Sequence, residues 1–128
     1  MPKQTLQLLT EDFSIHSFSE EETIPPEVLK APVYFIGKTH EELSIVCPSN
    51  IKLNSLEEET GWVALEVLGP LAFSLTGILS QIASSLARAN ISIFAISTFD
   101  TDYILVKKAV VQEAIKALRS DDYKVLAE

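Results

Sequence analysis

Val63, Leu65 and Val67 alternate with Ala64, Glu66 and Leu68, which predicts a strand over Trp62–Leu68. Leu75, Ile78, Leu79, Ile82 and Leu86 then recur at helical spacing, opposed by Gln81, Ser84, Ser85 and Arg88. Ser74 suits the N-cap of that helix, and Asn90 suits the left-handed position beyond its end. Ile91–Thr98 is rich in β-branched residues and predicts a second strand. Asp100-Thr101 is a hairpin tip, and Tyr103–Lys107 returns as a third strand. Val111, Ala114, Ile115 and Leu118 mark a second helix, Asp121-Asp122 ends it, and Tyr123–Leu126 makes a last short strand.

The resulting order is β-α-β-β-α-β. Two right-handed crossovers sharing a central hairpin give a four-stranded antiparallel sheet with both helices on one face. Both faces of the strand Ile91–Thr98 are apolar, so the sheet calls for a second layer, either the N-terminal half or another chain. Burying Phe94 or Ile96 contributes about 1.5–3 kcal/mol each. A unit of this size is marginal alone.

The first sixty residues are less regular. Leu6–Leu9 and Phe13–Phe18 alternate like strands, and Ile24–Leu29 suits one helical turn. Val33–Ile36 and Leu43–Val46 suit a strand pair, and Leu56–Gly61 reads as an acidic connector. The element order fits a shortened copy of the same plan, with the second helix largely lost. The expected division is 1–60 and 61–128.

Composition narrows the function. The chain has 128 residues, 47% hydrophobic and 22% charged, with a net charge of -8. That charge opposes nucleic acid and anionic membrane surfaces, and no apolar run is long enough to span a bilayer. The single cysteine, Cys47, excludes an internal disulfide and fits a reducing, cytoplasmic setting. His16 and His40 lack metal-ligand spacing, and no nucleophile–base pattern, P-loop or dinucleotide fingerprint is present. The expectation is a non-enzyme without cofactor or metal, with His16, His40 and Cys47 as incidental surface or structural residues and Glu58-Glu59 as a solvated pair.

The residues suited to a ligand lie in two segments. Gly69-Pro70 ends the first strand, and the N–H groups following Ser74 suit a carboxylate. Gly77 either admits a ligand or another backbone, or serves helix–sheet packing. Ser97, Thr98, Asp100, Thr101 and Asp102 crowd one hairpin. There Asp100 or Asp102 suits an ammonium or guanidinium group, although the same residues also fit turn chemistry. Phe73 and Phe99 suit either pocket walls or core.

The stretches Trp62–Val67, Gly69–Phe73, Gly77-Ile78 and Ile96–Val106, with Phe35 and Thr39–Val46 more loosely, resemble the ACT domain. The resemblance is closest to small tandem-ACT proteins akin to aspartokinase regulatory regions and CASTOR-type arginine sensors. It implies two ferredoxin-like βαββαβ units of α+β class, the first degenerate, and a free amino acid bound at an interface between ACT units. The implied ligand residues are Gly69, Leu71, Phe73, Ser74, Thr76, Gly77, Ile78, Ile96, Ser97, Thr98, Phe99, Asp100 and Asp102. It also implies a homodimer and an output passed to an unidentified effector protein. The alternative is an interaction module of the same fold that has lost its ligand. An RNA-recognition fold shares the element order, but Tyr103–Val106 lacks the basic and aromatic residues it needs.

Overall fold

The computed structural model describes residues 3–68 and 77–127. The fold is α+β, with two compact units: Met1–Thr10 with Val63–Glu128, and Glu11–Trp62.

The first unit contains β1 (Thr5–Leu8), the second part of β5 (Glu57–Val67), α1 (Ile78–Arg88), β6 (Phe94–Ser97), β7 (Asp102–Lys107), α2 (Val111–Ser120) and β8 (Lys124–Leu126). Its strands follow the order β8-β1-β5-β7-β6. The four-stranded antiparallel sheet expected from the sequence thus gains a fifth strand. β1 enters between β5, to which it is antiparallel with Leu6 opposite Val67, and β8, to which it is parallel with Leu6 opposite Val125. The observed division thus differs from the expected 1–60 and 61–128, because β1 pairs within the unit that holds Val63–Glu128. Leu6 is fully buried between those two valines, whose side chains join the same core.

Val63, Leu65 and Val67 pack with Ile104, Val106 and Val125 against Ile82 and Leu86 of α1 and Ala114, Ile115 and Leu118 of α2. Periodicity made both helices visible because this apolar stripe faces the sheet. Both helices end the same way. Asn90 takes the left-handed conformation, and the N–H groups of Asn90 and Ile91 donate to the Ala87 and Leu86 carbonyls at 2.9 and 3.0 Å. Asp122 is left-handed too, and the N–H groups of Asp122 and Tyr123 donate to the Arg119 and Leu118 carbonyls at 3.1 and 3.0 Å. Each is a Schellman closure, with Ile91 and Tyr123 returning into the core.

The start of α1 differs from expectation. The helix begins at Ile78 with Gly77 as its N-cap, and Ser74, expected at that position, lies outside the described residues. Gly77 has φ +80°, which a helical residue cannot adopt. Among the described residues a Cβ added there would meet only Gln81 Nε2, at 3.8 Å, so the backbone conformation, not close packing against them, accounts for the glycine.

The second unit contains β2 (Phe13–Phe18), a single 3-10 turn (Val28–Lys30), β3 (Phe35–Lys38), β4 (Leu43–Pro48) and the first part of β5. Its strand order is β3-β4-β2-β5. This is the ferredoxin-like order, with the 3-10 turn standing where the first helix would be. Phe18, Val28, Leu43, Ile45 and Cys47 form its core. The Leu56–Gly61 connector expected from the sequence is largely strand: Glu57, Glu58 and Glu59 pair with Ser17, His16 and Ile15. A three-glutamate run has little intrinsic strand preference, and pairing with β2 overrides it. The register then shifts by one residue before Trp62 meets Phe13, at a bulge where Gly61 has φ +79°.

Candidate functional site

The hairpin joining β6 to β7 is a closed, self-bonded turn. Ser97 pairs with Asp102, and the Thr98 N–H donates to the Thr101 carbonyl at 2.8 Å. The Thr98 hydroxyl donates to the same carbonyl at 3.2 Å and accepts from the Thr101 N–H at 3.2 Å. These bonds leave Phe99 and Asp100 at the tip, and Phe99 is 79% exposed. Phe99 is therefore not core.

Two further bonds set the direction of the hairpin. The Ser97 hydroxyl donates to Asp102 Oδ1 at 2.5 Å, so one carboxylate oxygen has a fixed partner on the neighbouring strand. The Thr101 hydroxyl donates to the carbonyl of Val67, the last residue of β5. The hairpin is thus fastened to the strand end from which the segment 69–76 departs. Asp102 is half-buried, whereas Asp100 is exposed on the turn.

Gly77 and Ile78 stand at the other end of that segment. Ile78 is the first residue of α1 and packs against the core, and the Gly77 carbonyl accepts the Gln81 N–H at 2.8 Å. The N–H groups at the start of α1 therefore begin at Ile78. Gly69, Leu71, Phe73, Ser74 and Thr76 lie outside the described residues. Ile96 is half-buried on β6.

One residue near this region was missed in the sequence. The Tyr103 hydroxyl donates to Glu66 Oε2 at 3.3 Å. Burial and then the Glu66 carboxylate raise its phenol above the ordinary value near 10. A strand-to-strand pair of this kind has no sequence signal, because nothing local records that β7 lies beside β5. Two open depressions lie elsewhere: one of about 530 Å³ along α2 at Gln112, Lys116 and Arg119, and one of about 430 Å³ between Lys30, Pro32, Pro48 and Ile51. Among the described residues no cluster of three metal-ligating side chains occurs, and no helix is long and apolar enough to cross a membrane.

Residues 57–120 match the family model described as the ACT domain. The chain is 40% identical over 73 residues to the cytosolic arginine sensor for mTORC1 subunit 1 of Homo sapiens, a match covering 56% of this chain and 22% of that protein. The chain thus spans about a fifth of the length of that curated relative. A crystal structure of an Agrobacterium tumefaciens protein superposes with a TM-score of 0.91 at 31% identity, covering 100% of this chain and 96% of the other. The regulatory subunit of aspartate kinase from Thermus thermophilus superposes with a TM-score of 0.64 at 8% identity, covering 92% and 97%, a likeness of fold.

Proposed function

The chain belongs to the ACT-domain family, and from that premise we propose that it is a non-catalytic regulatory module that binds a free amino acid in the cytoplasm. The observation that carries this reading is the Asp102 carboxylate. Ser97 fixes one of its oxygens at 2.5 Å, and Thr101 fastens its hairpin to the end of β5. In this reading Asp102 receives the cationic part of the ligand, and the segment 69–76 with the first N–H groups of α1 receives its carboxylate. A net charge of -8 favours approach of a cationic ligand. The human relative is named as an arginine sensor, which fits the same chemistry. The signal passes to an effector protein, and two chains associate as a homodimer.

The test is a thermal-shift panel of the twenty amino acids. A ligand at about 100 Kd stabilises the native state by about 2.7 kcal/mol. Arginine or lysine is expected to raise the melting temperature most; a flat panel at millimolar ligand overturns the reading. A second reading, an interaction module without a ligand, is favoured by β6, which ends the strand order and carries no charge across Phe94–Ser97. Dimerisation with no ligand response selects it.

A further inference from the structure

His16 lies in the core of the second unit, 1% exposed, although its neighbours in sequence read as an ordinary alternating strand. Its Nδ1 is 2.9 Å from the Ser55 hydroxyl, in the segment that leads from β4 to β5. Among the described residues its Nε2 has no hydrogen-bond partner, and Glu58 Oε2 stands 4.0 Å away on β5. Glu58 is the cross-strand partner of His16, and its side chain is 42% exposed. The ring thus bridges β2, β5 and the 49–56 segment with one of its two nitrogens unsatisfied.

The surroundings define what a proton on that nitrogen would meet. On β2 the same-face neighbours are Ser14, bonded to Ser49 at 2.7 Å, and Phe18, stacked on the ring at 6.2 Å. Ile45 stands opposite on β4. The Cys47 thiol on the same strand is kept neutral by burial and by Glu58, both of which raise its pKa. In the covering segment, Lys52 is engaged with the Ser49 carbonyl at 3.0 Å. Glu58 is therefore the group placed to receive an Nε2–H, and it must approach by about 1 Å to do so.

We propose that His16 is a proton-operated latch: neutral, it holds the 49–56 segment on β2 through Ser55, and protonation releases that segment unless Glu58 closes on Nε2. A buried imidazolium without a close acceptor is costly, and burial outweighs Glu58 here, lowering the His16 pKa below 6.5. Stability tied to the neutral ring is complete above 6.5 and is lost as the pH falls through the lower native value. The amide of Leu56 reports the opening directly, because it donates to the Ser17 carbonyl at 2.9 Å across the latched edge.

The experiment is an NMR titration of the full chain carrying His40→Asn, which leaves a single imidazole. The expected midpoint lies below 6.5, and Glu58→Gln moves it lower still. Hydrogen exchange at Leu56, corrected for the intrinsic rate, is expected to speed up as the pH falls below 6.5, by up to about tenfold per pH unit. The Ile91 amide, in the first unit, should not follow it. His16→Gln should abolish the Leu56 response; if that variant does not fold, the Glu58→Gln titration decides. A midpoint at or above 6.5, a midpoint unmoved by Glu58→Gln, or equal responses at Leu56 and Ile91 would each overturn the latch.

Discussion

Arg88 and Asp121 meet at 2.6 Å, with an Arg88 guanidinium nitrogen donating to Asp121 Oδ2, and so tie the last turn of α1 to the C-terminal cap of α2. The same oxygen accepts the hydroxyl of Ser85 at 2.5 Å. Arg88 is 65% exposed, so water and salt screen its share. Ser85 is buried, and its bond to the carboxylate is the less screened of the two. Replacing Ser85 by Ala is expected to cost about 1.5 kcal/mol, the low end for a hydrogen bond to a charged group, because Arg88 still holds Asp121. Urea unfolding measures this, and the loss should persist at high salt.

Acid should dissolve the same tie. The Ser85 and Arg88 hydrogen bonds hold the Asp121 carboxyl below the ordinary aspartate value of 3.8, against the opposing effect of burial. The stability this adds is complete above that value and is lost as the pH falls through the lower native pKa. Chemical unfolding followed from pH 5 downward should show a smaller acid loss in Asp121→Asn than in the native chain. Equal slopes would remove Asp121 from the acid response.

Gly77 should resist substitution for reasons of conformation. With φ at +80° and, among the described residues, no close atom other than Gln81 Nε2, Gly77→Ala is expected to cost about 1–2 kcal/mol, the left-handed penalty for an L-residue. Gly77→Asn should cost less. Denaturant midpoints compare the two, and an alanine variant as stable as the native chain would contradict the left-handed cap.

The two Schellman closures make the opposite prediction. Asn90 and Asp122 occupy left-handed positions that glycine fills without penalty. Asn90→Gly and Asp122→Gly should each be neutral or stabilising, by up to about 1 kcal/mol. Leu86→Ala, at the carbonyl that receives Ile91 and in the core beneath both helices, should cost about 2–5 kcal/mol.

Asp102→Ala should weaken a cationic amino acid more than an apolar one in calorimetric titration. Ser97→Ala should give a smaller loss of the same kind, because it removes the bond that orients the carboxylate. Equal losses for cationic and apolar ligands would take Asp102 out of the side-chain pocket.

The sequence alone determined the elements whose period reflects a one-sided environment. Val63, Leu65 and Val67, the stripes of α1 and α2, and the left-handed Asn90 are local patterns set by the faces that each element buries. It also marked the Ser97–Asp102 hairpin, because short polar side chains that bond their own turn are a local matter. Tertiary structure alone decided the rest. Only pairing with both β5 and β8 could move β1 into the first unit, and only the edge of β2 could turn Glu57–Glu59 into strand. The start of α1 depended on the backbone angle at Gly77, and the burial of His16 depended on a segment arriving some forty residues later. Period and propensity report a residue's near neighbours along the chain; partners brought from far away leave no such trace, and they settle strand pairing, burial and charge.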